Sequence, residues 1–226
     1  MSRRERRAHP ENEIEDRGLP GQQLPGVVLA AGRGARFYEA TGQNKLLVCV
    51  EGEPVVRRSV RAMLSAPSVD PVLLVVGHEW ERVLRALGDL RRHPKLRVVR
   101  NERWAEGLSS SLKAALPHLP DGAPGFVVLP GDMPFMTPQL VERVARRFRE
   151  TGRACYPVSQ GRKGHPTALP RELFPALQKL EGDVGAQALL RRGAIGIEIE
   201  LKNAEEALTQ RDVDVPDDLP DPNVGS

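Results

Sequence analysis

Short apolar runs alternate with helix-period segments along most of this chain of 226 residues. The apolar runs, several of them rich in β-branched residues, predict strands at 27–30, 72–76, 96–99, 126–129, 154–158 and 195–199. Segments with helical periodicity fall between them, at 54–64, 79–87, 109–116, 138–149, 172–180 and 184–191. This alternation predicts an α/β fold, a single-domain, three-layer α/β/α, Rossmann-like architecture with a mostly parallel sheet. Ligands of such sheets bind at the carboxyl ends of the strands.

The two ends of the chain differ in composition from the middle. Residues 1–24 are rich in Arg, Glu, Gly and Pro and have almost no apolar periodicity, which predicts a disordered leader. A solvated tail is favoured there over a segment that binds an acidic partner. We expect residues 25–219 to form the folded domain and residues 220–226 to form a C-terminal tail.

Charge and cysteine content argue against several kinds of protein. The 33 Lys and Arg residues nearly balance the 30 Asp and Glu residues, so the net charge of +3 suits a small anionic substrate and does not indicate a nucleic-acid partner. Only Cys49 and Cys155 are present, without the spacing of a disulfide framework or a zinc site. No apolar run approaches the roughly 20 residues that span a bilayer, so we expect a cytoplasmic protein with no membrane partner.

The first predicted strand stops at a glycine-rich loop that carries arginines. Backbone N–H groups and cations of such a loop can bind the oxygens of a triphosphate, and Lys45 follows beyond a flexible 38–44 segment. A dinucleotide fingerprint lacks its third glycine here, and a P-loop pattern is absent, which disfavours a dehydrogenase or a P-loop kinase. The alternative is a tight strand-to-helix turn with exposed basic residues. The residues of this loop are Leu29, Ala30, Ala31, Gly32, Arg33, Gly34, Ala35 and Arg36.

Acidic residues follow another predicted strand and recur near the end of the domain. Asp132 comes directly after Gly131, and a carboxylate at a strand end is well placed to hold Mg²⁺. Its alternative role is that of a turn former. Asp212 and Asp214 alternate with valines, so both carboxylates face one side of an extended segment and can complete the same metal site. A solvent-facing acidic turn is the competing interpretation.

Two further segments carry polar groups that can meet a ligand. Gly107 permits close backbone approach before a serine run that includes Ser109 and Ser110 and opens a helix, although an ordinary capped helix start explains the pattern too. A glycine-flanked loop contains His165 and then Pro166, and we favour substrate contact or loop structure over base catalysis for this histidine. Asp183 precedes a predicted helix as its N-cap.

Taken in order, these segments resemble the molybdenum cofactor cytidylyltransferases, within the wider group of nucleotidyltransferases that have a glycosyltransferase-A-like α/β fold. The resemblance covers residues 27–219. It is carried by LAAGRGAR with NKLL, by NERWAEGLSSSL, by PGDMP, by GRKGHP with GDVGA, and by DVDVPDDL. Each motif alone is weak, and their common order is what gives the resemblance its specificity.

The resemblance implies a role for each of these residues. Arg36, Lys45 and Asp132 would carry catalysis, and Asp132 would bind Mg²⁺, with Asp212 or Asp214 adding a metal contact. His165, Pro166 and Asp183 would lie nearer the acceptor. The implied nucleotide-binding residues are Leu29, Ala30, Ala31, Gly32, Arg33, Gly34, Arg36, Lys45, Gly107, Ser109, Ser110, Gly131 and Asp132.

The implied reaction transfers CMP from CTP to the phosphate of molybdopterin and releases pyrophosphate. Cytosine is favoured because the chain has LAAG and GLSSS where the related guanylyltransferases typically have LAGG and PLAG. The chain departs from the family at residues 37–44, a longer loop than usual. Alternatives are another nucleoside triphosphate, another acceptor such as a sugar phosphate, methylerythritol phosphate or phospholactate, and a non-catalytic molybdenum cofactor chaperone that docks on a molybdoenzyme.

Overall fold

A computed structural model describes residues 23–191 and 196–219. Its strands are β1 (Leu24–Ala30), β2 (Cys49–Val50), β3 (Glu53–Pro54), β4 (Val69–Val76), β5 (Leu96–Arg100), β6 (Gly125–Pro130), β7 (Cys155–Ser159), β8 (Arg162–Lys163), β9 (Thr167–Pro170) and β10 (Ile197–Glu200). Its helices are α1 (Ala35–Thr41), α2 (Val55–Leu64), α3 (Trp80–Ala86), α4 (Leu108–Ala115), α5 (Pro138–Thr151), α6 (Phe174–Leu177), α7 (Gln187–Arg191) and α8 (Ala204–Leu208). Short 3-10 turns link several of these elements.

The large sheet has the strand order β10-β7-β9-β6-β1-β4-β5, with β8 paired to β7. β1 lies between β4 and β6 and is parallel to both. β4 with β5 and β7 with β10 are also parallel, whereas β9 runs antiparallel to β6 and β7. The sheet is therefore mostly parallel, as the sequence predicts.

Helices cover both faces of the sheet and form two apolar cores. On one face, α2, α3 and α5 pack through residues such as Val56, Leu84 and Phe148. On the other face, α4, α6 and α7 pack through residues such as Leu112, Leu177 and Leu190. Because central strands contribute alternate side chains to each face, β1 is buried over almost its whole length. The predicted three-layer α/β/α architecture is confirmed.

The register of the central strands brings two loops together. Leu29 of β1 lies opposite Pro130 of β6, and the N–H of Gly131 donates to the carbonyl oxygen of Leu29 at 2.8 Å. The chain therefore leaves β1 and β6 side by side at the same edge of the sheet. This pairing places the glycine-rich loop next to Asp132.

Several predicted boundaries are corrected by the structure. Leu24, placed in the leader by its sequence context, is the buried first residue of β1. β9 has no counterpart among the predicted strands, because its four residues include a proline and are too few to show a period. The predicted helices 172–180 and 184–191 are shorter, since α6 and α7 have four and five residues. Residue 195, the leader up to residue 22 and the tail 220–226 lie outside the described residues.

Within the part of the chain that the structure describes, no helix is both long enough and apolar enough to cross a membrane.

The N-terminus of α5 allows a test of helix capping by Thr137. Thr137 is its N-cap, and the hydroxyl oxygen of Thr137 accepts a hydrogen bond from the N–H of Leu140 at 3.3 Å. We expect Thr137→Ala to lower the free energy of unfolding by about 1 kcal/mol, because a helix N–H group loses its partner. Urea unfolding measures the change, with Thr137→Ser as the matched control that keeps the hydroxyl. Equal stability of the alanine variant and the wild type would contradict the capping role.

Candidate active site

The loop after β1 forms one wall of the site. Arg33 lies over the ring of Tyr38, with 4.3 Å between the guanidinium carbon and the ring centroid. Gly34 packs against the side chain of Lys45 and ends the loop where α1 begins. The N–H of His78 donates to the carbonyl oxygen of Ala31 at 2.9 Å, which fixes the loop to the end of β4.

Residues 37–44 are largely helical, which corrects the prediction of a flexible segment and a long loop. α1 spans Ala35–Thr41 and is followed by Gly42, whose N–H caps the carbonyl of Tyr38. Phe37 is buried and belongs to a small apolar cluster with Val55 and Val213. A single buried aromatic residue therefore anchors this short helix. Seven residues are too few to show a helical period, so the sequence pattern does not predict it.

Lys45 lies between two carboxylates. Its Nζ is 2.6 Å from Asp132 Oδ2 and 2.7 Å from Asp214 Oδ1, and the second carboxylate also contacts Arg36 at 3.2 Å. The Lys45 side chain is only 12% exposed and that of Asp132 is 16% exposed. Burial acts to lower the pKa of Lys45, but the nearby charges outweigh it, so the pKa lies above its usual value. Lys45 is therefore a protonated cation at the floor of the site.

The same ion pair has a consequence for stability at low pH. The hydrogen bond from Lys45 lowers the pKa of Asp214 below its ordinary value. A carboxyl group whose pKa is lower in the folded than in the unfolded state stabilises the fold at pH values above its unfolded-state pKa. This stabilisation is lost as the pH falls through the folded-state pKa. We expect Asp214→Asn to be less stable than the wild type near neutral pH, with the gap closing below about pH 3 to 4. Urea unfolding at a series of pH values measures the difference in stability, with a chelator present to remove metal ions. A difference that persists at low pH would contradict the ion pair.

Asp132, Asp212 and Asp214 form an acidic cluster. One oxygen from each carboxylate lies within 4.8 Å of the others. The backbone N–H of Val213 donates to the carbonyl oxygen of Asp132 at 3.0 Å, which ties the two acidic segments together. Partial desolvation and the charge of Asp132 raise the pKa of Asp212.

The cluster fits a hard divalent cation. Asp132 Oδ1 is buried and has no hydrogen-bond partner among the described residues, so a lone pair in the site is unused. Carboxylate oxygens are the ligands that Mg²⁺ and Mn²⁺ prefer. Asp132, Asp212 and Asp214 are therefore the residues that could hold such an ion.

These groups line a cavity of about 1110 Å³. The predicted site residues that line it are Leu29, Ala30, Ala31, Gly32, Arg33, Gly34, Arg36, Lys45, Gly107, Asp132, His165, Asp183, Asp212 and Asp214. Ser109, Ser110, Gly131 and Pro166 are buried and are not among its lining residues. The sequence patterns do not single out several other lining residues, among them Ser159, Gln187, Gln210 and Arg211.

The start of α4 is held by the segment that contains Asp183. Gly107 has φ 96°, and a Cβ atom there would overlap the backbone of Gly182. The carboxylate of Asp183 accepts a hydrogen bond from the N–H of Leu108 at 3.3 Å. Asp183 thus caps α4, and its prediction as N-cap of the later helix is wrong, because α7 begins only at Gln187.

The serine run is engaged mainly inside the protein. Asn101 Nδ2 donates to Ser110 Oγ at 2.8 Å and to Ser111 Oγ at 3.1 Å. The N–H of Ser109 donates to the carbonyl oxygen of Gly182 at 3.1 Å. Of the three serines, Ser111 is the one that lines the cavity. These polar groups therefore fix the shape of the wall beside Gly107.

His165 also lines the cavity. Burial lowers its pKa to about 4, although the charge of Asp132 acts in the other direction. The imidazole is therefore neutral near pH 7.

Trp104 is another lining residue of the cavity. Its ring stacks at a tilt on His78, with 4.9 Å between the ring centroids, and gives the cavity an aromatic surface.

A glycine loop, a buried lysine and an acidic cluster at adjacent strand ends define an α/β protein suited to binding the phosphates of a nucleotide with a divalent cation. The comparison with known families makes the assignment specific. The chain belongs to the MobA-like NTP transferase domain family, whose pattern matches residues 26–198.

Two named relatives show how far the similarity extends. The chain is 28% identical to the molybdenum cofactor cytidylyltransferase of Escherichia coli K12, over 85% of this chain and 92% of that protein. It is 28% identical to a probable molybdenum cofactor guanylyltransferase of Thermococcus sibiricus, over 58% of this chain and 60% of that protein. The chain thus spans about three fifths of the length of this second relative.

A solved structure has the same fold. Rv0371c from Mycobacterium tuberculosis superposes with a TM-score of 0.68 and 27% sequence identity, covering 87% of this chain and 96% of that one. A structure of Rv0371c in complex with manganese superposes with a TM-score of 0.65.

Proposed function

We propose that the protein is a Mg²⁺-dependent nucleotidyltransferase that transfers CMP from CTP to the phosphate of molybdopterin and releases pyrophosphate. The observation that carries the proposal is the contact of Lys45 with Asp132 and Asp214 at the floor of a cavity large enough for a nucleotide and an acceptor. Membership of the MobA-like family supports the reaction class. The long alignment with the cytidylyltransferase of Escherichia coli supports CTP and this acceptor.

The proposed reaction is an in-line displacement at phosphorus. An oxygen of the acceptor's phosphate monoester attacks the α-phosphorus of CTP and forms a new P–O bond. The bond from the α-phosphorus to the bridging β-oxygen breaks, and its electron pair leaves with pyrophosphate. A phosphate monoester is already anionic at neutral pH, so the reaction needs no strong base. The lowered pKa of His165 makes its imidazole a weak base, which agrees with this.

The work of the protein is alignment and neutralisation of charge. We infer that the N–H groups of the loop 31–34, Arg36 and Lys45 bind the triphosphate. Asp132, with Asp212 and Asp214, would hold the Mg²⁺ ion, which when bound offsets the negative charge of the triphosphate and of the departing pyrophosphate. The manganese complex of Rv0371c supports a divalent-cation site in this fold.

We infer that the loop of His165 and Pro166, together with Asp183, holds the acceptor. Pro166 is buried, whereas His165 and Asp183 line the cavity. Arg162 and Lys163 also line it and favour an anionic acceptor. A molybdoenzyme would then receive the cytidylylated product.

A nucleotide and acceptor panel tests the proposal. Pyrophosphate release is measured with CTP, GTP, ATP and UTP, each with Mg²⁺ and with molybdopterin, a sugar phosphate, methylerythritol phosphate or phospholactate. We expect release with CTP and molybdopterin to exceed every other pair by at least about tenfold. Preferential use of GTP or of another acceptor would overturn the substrate assignment. Tight molybdopterin binding without release from any nucleotide would indicate a chaperone instead.

A further inference from the structure

The side-chain amide of Gln210 clamps the backbone of His165. The N–H of His165 donates to Gln210 Oε1 at 2.7 Å, and Gln210 Nε2 donates to the carbonyl oxygen of His165 at 2.7 Å. A backbone N–H can only donate and a carbonyl oxygen can only accept, so these two bonds define the orientation of the amide. The side chain of Gln210 thus satisfies both the backbone N–H and the backbone carbonyl of His165, a residue that lines the cavity.

The loop is shaped to admit this clamp. A Cβ atom at Gly164 would overlap the amide of Gln210, so the absence of a side chain at this position permits the contact. A second amide, that of Gln187, donates to the carbonyl oxygen of Gly164 at 2.8 Å and lies 3.3 Å from His165 Nε2. The Gln187 amide nitrogen can only donate, so the ring nitrogen is the acceptor in this contact. The two glutamines therefore hold the backbone and the ring of His165.

Gln210 also belongs to the segment that carries the acidic cluster. It follows α8 and stands two residues before Asp212. Its Nε2 donates to the hydroxyl of Thr209 at 3.0 Å, and α8 is tied to α5 by the ion pair of Arg143 with Glu206 at 2.8 Å. The clamp therefore connects the His165 loop to the chain that places the metal-binding carboxylates.

We propose that Gln210 is a positioning residue that sets the His165 loop relative to the carboxylates and thereby fixes the acceptor's place in the site. The proposal rests on the proposed function, in which this loop contacts the acceptor. It predicts that loss of the clamp weakens use of the acceptor and leaves use of the nucleotide nearly unchanged, because the glycine-rich loop and Lys45 are held by other contacts.

Amide hydrogen exchange followed by NMR tests the clamp itself. Gln210→Met removes both hydrogen bonds at similar side-chain volume, and we expect the His165 amide to exchange at least about tenfold faster. Gln139→Met, on the exposed side of α5, is the matched control and leaves this exchange unchanged. Unchanged exchange in Gln210→Met would overturn the clamp.

Steady-state kinetics test the positioning role. With molybdopterin, CTP and Mg²⁺, we expect Gln210→Met to raise the KM for molybdopterin about tenfold and to change the KM for CTP by less than about twofold. Equal effects on both KM values, or none on either, would overturn the role. If the wild-type protein releases no pyrophosphate, both the proposed function and the positioning role are refuted. The hydrogen-exchange measurement would still show whether Gln210 forms the clamp on His165.

Discussion

Asp132→Asn is expected to lower the rate of pyrophosphate release about a thousandfold while the protein remains folded. The substitution keeps the volume of the side chain but removes the charge of the carboxylate that lies deepest in the acidic cluster. Asparagine has a single side-chain oxygen, so it cannot both contact Lys45 and offer the second, buried oxygen that has no partner within the described residues. Lys45 keeps its contact with Asp214, so the fold has a second counter-charge for the buried ammonium group. Pyrophosphate release and circular dichroism measure the two parts of this prediction.

Asp121→Asn is the matched control for that measurement. Asp121 lies in an exposed turn before β6, far along the strand from the site. It should retain wild-type activity and stability. Wild-type activity in a folded Asp132→Asn protein would remove Asp132 from the mechanism.

Lys45→Met should have two opposite effects. Turnover should fall about a hundredfold, because a buried cation is no longer available to the triphosphate. Mn²⁺ binding to the nucleotide-free protein should become about tenfold tighter, because the ammonium group no longer neutralises Asp132 and Asp214. Titration of Mn²⁺ followed by electron paramagnetic resonance measures the second effect without any activity assay.

Lys179→Met, on the exposed surface after α6, controls for the loss of one positive charge. It should change neither turnover nor Mn²⁺ affinity. If Lys45→Met binds Mn²⁺ no more tightly than the wild type does, the lysine does not compete with the metal ion for the carboxylates.

The large elements of the fold are predictable because their apolar patterns are long. β4, β6 and α5 bury one face or both over several residues, so burial dictates their composition. β9 and α1 are too short to carry a period, and each depends on tertiary contacts: β9 on pairing with β6, and α1 on burial of Phe37. These contacts are formed by residues distant in sequence, so local patterns do not reveal them.

The candidate site is predictable to the extent that it lies at strand ends. Asp132 and the glycine-rich loop follow buried strands, and neighbouring strands carry them to one edge. The contact of Lys45 with Asp214 joins residues 169 positions apart, and nothing in either local sequence specifies it. Gln187 and Gln210 give no sequence signal either, because an isolated glutamine is normally a surface residue. Their roles emerge only from the geometry of the folded loop.

The most direct test of the account is mass spectrometry of the reaction product. Wild-type protein incubated with CTP, Mg²⁺ and molybdopterin should form molybdopterin joined to CMP through a diphosphate, with one pyrophosphate released for each product molecule. Asp132→Asn should form almost none under the same conditions. The account would be contradicted if molybdopterin were recovered unmodified from the same mixture with wild-type protein, with every nucleoside triphosphate intact.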